Sequence, residues 1–217
     1  MNNKIKLIPL LATLLACAAH SAVYVDLRVS HQSLDGTPAI GDIGAKISED
    51  LPDAAVSLAI GTHLTPRISA ELRFTDLGNL SVDKVSSTWN IFPPTGDVTL
   101  PAQRYYRYGQ STRLYTFALP VKLFEKDRMS ITVAPLLQLE HSTITIDDLY
   151  LNVQTATLLP QPPVRFLETD RTKVRPGAEL SLGYQVTDKV KLSLNYSYSS
   201  LHAYDVHLLG AGLALEF

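Results

Sequence analysis

An apolar side chain recurs at every second position in eight separate stretches of this chain, and that period of two constrains the fold more than any other feature. The stretches cover residues 23–29, 56–60, 68–74, 115–123, 131–139, 178–184, 190–198 and 209–217. The first sets Val23, Val25, Leu27 and Val29 against Tyr24, Asp26, Arg28 and Ser30, and the last sets Leu209, Ala211, Leu213, Leu215 and Phe217 against Leu208, Gly210, Gly212, Ala214 and Glu216. Successive side chains on a strand point to opposite sides, so each stretch reads as a strand with one apolar and one polar face.

The connections alternate in length. Tight turns are expected at Leu64-Thr65-Pro66, Glu125-Lys126-Asp127-Arg128 and Thr187-Asp188-Lys189, whereas residues 32–53, 77–110 and 142–173 read as long loops, with a shorter one over 200–205. Short turns on one side and long loops on the other is the asymmetry of bacterial outer-membrane barrels, whose short turns face the periplasm. An even strand count puts both termini on that side. Strands of about 9–11 residues, tilted by about 45°, are long enough to cross the hydrocarbon.

Residues 1–21 carry Lys4 and Lys6, then an apolar run over 7–19, then small residues, the layout of a cleaved export signal. Cleavage after Ser21 starts the mature domain at residue 22, and Ala18 is a chemically acceptable alternative. Leu14-Leu15-Ala16-Cys17 also reads as a lipobox, in which Cys17 would be acylated. Cys17 is the single cysteine, so a chain cleaved after Ser21 has no disulfide to rely on and closure must come from hydrogen bonding. The 19 Lys+Arg less the two leader lysines, against 21 Asp+Glu, leave an acidic excess of 4, which gives no electrostatic case for nucleic-acid binding. After the leader no window approaches about 18 uninterrupted apolar residues, so a spanning structure has to be a barrel.

Alternation alone also fits a soluble exported barrel of lipocalin type, with its apolar face turned inward. The other face separates the two. Here it is dominated by Ser, Thr, Gly and Ala with isolated charges, whereas a soluble barrel presents a more heavily charged exterior. Tyr184 and Phe217 at one end, and Phe74, Tyr105, Tyr106, Tyr108, Tyr115, Tyr196 and Tyr198 toward the other, suit two interfacial girdles, although strand propensity also favours aromatics. The fold expected is all-β: an eight-stranded antiparallel up-and-down transmembrane barrel over residues 22–217, located in the outer membrane.

On these features the chain resembles the small eight-stranded outer-membrane barrels, the class of the OmpA transmembrane domain, OmpX and OmpW. The resemblance is architectural and spans nearly all of residues 22–217, with no motif selecting a subfamily. It implies that the ending Leu213-Ala214-Leu215-Glu216-Phe217, Phe217 above all, is the signal read by the barrel-assembly machinery. Outer-membrane lipids and lipopolysaccharide are the expected surroundings and no cofactor is expected; the family's function transfers only loosely, and the long loops point to an envelope or surface-binding scaffold.

Inside such a barrel an unpaired charge is costly, so the inward charges Asp26, Arg28, Glu71, Arg73, Lys122, Glu140 and Glu179 should pair across the lumen. Arg28, Glu71, Arg73 and Glu179 fall at mid-strand and are the expected centre of that network, with Arg175 and Glu216 nearer the rims. A plugged lumen is the primary reading and a narrow polar pore the alternative. A lipid A-modifying enzyme is a further alternative, resting on Glu140-His141-Ser142 at the outer rim, but adjacent residues of a strand point to opposite faces, which separates His141 from Ser142. No catalytic residue is therefore assigned. His202, Asp205 and His207 could hold a metal, though histidines at a loop are more often only solvated, and no metal site is assigned either. The long loops carry Trp89, Phe92, Pro93, Pro94, Leu158, Leu159, Pro160, Pro162 and Pro163, apolar groups that could contact an extracellular ligand or pack against one another or lipopolysaccharide.

Overall fold

The computed structural model describes residues 22–35, 45–50, 52–90, 102–152, 157–158, 164–201 and 204–217. The expected leader with Cys17, the loop residues Phe92–Pro94 and Leu159–Pro163, and His202 lie outside them. The described residues form β1 (Val23–Asp35), β2 (Ala45–Asp50), β3 (Ala54–His63), β4 (Ser69–Asn90), β5 (Ala102–Ala118), β6 (Val121–Lys126), β7 (Met129–Asn152), β8 (Thr157–Leu158), β9 (Val164–Thr187), β10 (Val190–Ser200) and β11 (Asp205–Glu216).

Eight of these positions are barrel staves: β1, β3, β4, β5 continued by β6, β7, β9, β10 and β11, each antiparallel to the next, with β1 pairing β11 to close the ring. β2 adds to the upper part of β4, and β8 to the tip of β7. The fourth stave, expected as one strand, is interrupted at Leu119-Pro120, because Pro120 has no N–H to offer the ladder. Turns at residues 64–67, 127–128 and 188–189 join the staves at the end that also holds both strand termini.

The register fixes the tilt. Partners traced from Tyr24 through Gly61, Glu71, Ala118, Leu136, Gly177, Ser199 and Val206 return to β1 at Leu34, ten residues further along. A stagger of that size over eight strands corresponds to a tilt of about 40°. From Val174 to Tyr184 the strand then climbs roughly 33 Å, or about 25 Å along the axis, the height of a hydrocarbon band.

That band is present on the exterior. Leu27, Val29, Leu58, Ile60, Leu137, Leu180, Leu182, Leu192, Leu194, Leu209 and Leu213 are all exposed, while the alternate positions are buried or half-buried. Phe124, Tyr184 and Phe217 mark its lower edge. Phe74, Tyr115, Tyr196 and Tyr198 mark its upper edge, with the Phe74 and Tyr115 rings 5.5 Å apart. Tyr108 is not part of the girdle: it is buried in the core above the band.

Two of the expected loops are largely strand. β4, β7 and β9 run for 22, 24 and 24 residues, so the β4–β5 and β7–β9 hairpins continue the barrel wall well beyond the band. In β4 the continuation passes through a bulge between Asp76 and Asn79, where Gly78 takes φ 76° and its N–H donates to Asp76 Oδ1 at 2.9 Å. Asp-Leu-Gly-Asn looks like a turn in sequence. Here it shifts the inward parity from Leu77 to Leu80 and Val82, all three buried.

Candidate functional site

The lumen is filled in layers, and the tilt decides which side chains share a level. Asp26, Arg28, Glu71, Arg73 and Glu179, from β1, β4 and β9, converge in the middle. Arg28 holds Asp26 through Nε (2.6 Å), Glu179 through Nη1 (2.8 Å to each carboxylate oxygen) and Glu71 through Nη2 (3.4 Å). Arg73 donates from Nε to Glu71 Oε1 at 2.9 Å and from Nη2 to Glu179 Oε1 at 3.1 Å, with a further pair from Nη1 to Glu179. Tyr24 Oη donates to Glu71 Oε2 at 3.1 Å, its ring lying across Gly61 where any Cβ would collide with it. All five charged side chains are buried.

Two arginines fit at this level because the facing positions are small: Ala59, Ala118 and Ala134 are buried, and a Cβ on Gly212 would stand 3.0 Å from both Arg28 Cγ and Asp26 Oδ1. Guanidinium forks matched to carboxylates supply several charge-assisted hydrogen bonds per side chain, which is what allows charges to persist away from water.

The remaining expected lumen charges lie elsewhere. Lys122 pairs with Glu125 at 2.8 Å near the short-turn end, and Glu140 pairs with Arg175 at 3.1 Å in a higher layer. Glu216 sits at the short-turn rim against His63.

Above the charges comes a second closure that alternation concealed, because its inward residues are apolar too. Leu77, Leu80, Val82, Leu114, Ile144, Val206 and Leu208 form one buried cluster with Tyr108, and Leu201 and Tyr204 from the β10–β11 connection fold into it. Leu201 N donates to Tyr204 O at 3.0 Å, turning both side chains inward. A hydrogen-bonded line crosses the same level: Arg175 to Glu140, Ser142 to Glu140 (2.9 Å), Thr112 with Ser142 (3.0 Å), Gln110 to Thr112 (3.0 Å) and Tyr108 to Gln110 (2.7 Å), with Tyr204 Oη 3.3 Å from Thr112. Burial pushes the Tyr108 phenol up to about 12 and raises that of Tyr204, so both stay neutral hydrogen-bonding groups.

The outer rim holds no Ser–His relay at Glu140-His141-Ser142. Ser142 is buried against Glu140 and Thr112, while the His141 ring on the other face meets Thr172 Oγ1 at 3.2 Å. His207 contacts the Tyr196 hydroxyl (2.7 Å) and Asp35 (3.1 Å), and Asp205 accepts from Tyr198 (3.0 Å). Among the described residues, no group of three His, Cys, Asp or Glu is placed to hold a metal ion.

Below the network the lumen opens toward the short turns as a vestibule of about 390 Å³, whose wall includes His63, Ser69, Lys122, Ser130, Lys191 and Glu216.

No family model matches the sequence, and no curated protein matches it. Solved structures do resemble the chain. The attachment invasion locus protein Ail of Yersinia pestis is 12% identical with a TM-score of 0.44, covering 91% of this chain and 99% of that one. Neisserial surface protein A is 12% identical with a TM-score of 0.47, covering 90% and 99%. OprG of Pseudomonas aeruginosa is 11% identical with a TM-score of 0.40, covering 90% and 97%. At this level the likeness concerns the course of the chain alone. The closure of eight staves, the exterior apolar band and the division into short turns and tall hairpins identify the chain as a small eight-stranded β-barrel of the outer-membrane class.

Proposed function

We propose that the protein is an outer-membrane surface scaffold that binds external partners through its projecting hairpins, with a closed lumen. The observation that carries this reading is the upper part of β9. β10 pairs with β9 only as far as Ser199 opposite Gly177, so among the described residues the segment from Val164 to Pro176 pairs with β7 alone. It is exposed along nearly its whole length, and Arg171 and Lys173 occupy alternate positions on it, above Arg175, which is held by Glu140.

An open strand edge is a template for an added strand, and charges along it discourage indiscriminate pairing. The partner that fits is an extended acidic segment of an external protein, with carboxylates at alternate positions. Lipopolysaccharide and lipids would surround the band, and Phe217 would serve assembly. A pore reading is less well supported, since charge network and apolar closure occupy the lumen in series.

Selection of peptides from a random library against the protein in lipid nanodiscs tests the proposal. Extended acidic peptides should be enriched, and Arg171→Glu with Lys173→Glu should abolish their binding while heat-modifiable gel migration stays unchanged. Binders that are indifferent to this charge reversal would overturn it.

A further inference from the structure

Three side chains on the vestibule wall form a hydrogen-bonded line. Ser69 Oγ lies 2.9 Å from His63 Nδ1, and His63 Nε2 lies 2.7 Å from Glu216 Oε1. They come from β4, β3 and β11. His63 and Ser69 are cross-strand partners on either side of the 64–67 turn, and Glu216 reaches the imidazole from beyond β1. The Tyr24 ring packs against the imidazole with centroids 5.4 Å apart, which limits its rotation. The His63 and Glu216 side chains are 39% and 31% exposed, so a solute in the vestibule reaches them.

A serine becomes a nucleophile when a base stands within hydrogen-bond reach and a third group orients that base. With Glu216 accepting the Nε2–H, the lone pair of the neutral ring falls on Nδ1, facing the Ser69 hydroxyl, which then donates. Relative to the familiar serine triad the two ring nitrogens exchange roles, but either can take the proton when the other is held protonated. Lys122 lines the same cavity, its ammonium paired with Glu125 at 2.8 Å, and would have to turn from that carboxylate to meet a developing oxyanion. The backbone N–H groups of Ser69 and Lys122 are engaged, by Pro120 O (2.9 Å) and Arg67 O (2.7 Å), so these two build no oxyanion hole and stabilisation falls on cations of the wall.

We propose that Ser69, His63 and Glu216 form an acyl-transfer site, open on the short-turn side, that hydrolyses short carboxylic esters with good leaving groups. Ser69 Oγ attacks the carbonyl carbon as its proton passes to His63 Nδ1. The bond to the leaving alcohol breaks, and that oxygen takes the proton. Water then attacks the acyl-serine, giving a proton to Nδ1 that returns to Ser69 Oγ as the acid departs. Ester and water become acid and alcohol, and the enzyme is restored.

Turnover of p-nitrophenyl acetate by the full barrel in detergent micelles tests this, together with fluorophosphonate labelling mapped by mass spectrometry. The label should fall on Ser69, and turnover should drop at least tenfold in Ser69→Ala and in His63→Gln. Glu216→Gln should fall as far as His63→Gln, because an amide that donates to Nε2 moves the ring proton to Nδ1. Ser69→Cys offers a second reading: its alkylation rate should exceed that of Ser69→Cys with His63→Gln. Heat-modifiable migration verifies folding for each variant. Wild-type turnover equal to Ser69→Ala, a label elsewhere, or equal alkylation rates would overturn the assignment.

Discussion

Arg28 on β1 and Glu179 on β9 meet across the barrel axis, with one guanidinium nitrogen 2.8 Å from both carboxylate oxygens. Glu179 is also held by Arg73, so a single carboxylate joins both arginines. Removing one member of a buried ionic cluster strands its partners, at a cost of roughly 3–5 kcal/mol. Glu179→Ala should therefore lower the unfolding midpoint in denaturant far more than Glu168→Ala, whose partner Arg165 is exposed. Similar midpoints for the two variants would show that the network does not hold the staves together.

Loss of the network alone should not open the barrel. Arg73→Ala with Glu179→Ala removes two of the five charged side chains of the central layer, but Leu77, Leu114, Val206 and Tyr204 still close the level above. In planar bilayers this double variant is expected to stay close to wild type, and steady conductance should require Tyr204→Ala in addition. A large stable conductance in the wild-type protein would contradict both closures.

The facing of β10 predicts opposite tolerances at neighbouring positions. Leu194 points to lipid, and Leu194→Arg should cost roughly 2–4 kcal/mol in folding into vesicles. Ser193 faces the vestibule, where an arginine finds polar space, so Ser193→Arg should be milder. Asn195 also points inward, but it is buried with Nδ2 donating to Ser193 Oγ at 2.9 Å, and an arginine there would be crowded. Equal damage at Leu194 and Ser193 would contradict the register.

Cysteine labelling in intact cells should report the orientation. A cysteine at Asp170, on the projecting part of β9, should react with an impermeant reagent, and one at Asp127, in a short turn where φ is 54°, should not. Reaction at Asp127 alone would invert the barrel.

The close strand approach at Gly210 gives a local test. A Cβ there would stand 2.5 Å from Val29 O and 2.7 Å from Ser30 Cα, and backbone cannot move aside as a flexible side chain can. Gly210→Ala should destabilise the β1–β11 seam, read as a lower temperature for the loss of heat-modifiable migration, whereas Ala211→Gly on the lipid face should change little.

Strand number, facing and the polarity of the two ends were legible from residues close in sequence, because each depends only on alternation within a strand and on turn residues between strands. Leu194 outward and Asn195 inward follow from parity alone, and the mid-strand positions of Arg28, Glu71, Arg73 and Glu179 already marked them as one group. Local pattern could not supply the stagger. The ten-residue offset from Tyr24 to Leu34 is a property of the closed ring, and it alone lifts Glu140 and Arg175 out of the central layer and leaves Lys122 below it. The bulge at Gly78 reads as a turn until β5 is seen to pair on both sides of it, which is why the long hairpins looked like loops. The apolar closure around Tyr204 and the line from Ser69 through His63 to Glu216 join residues whose neighbours in sequence say nothing about them. Their meeting is decided by where the ring closes, since only the closed register brings β11 to the rim that the β3–β4 hairpin already forms.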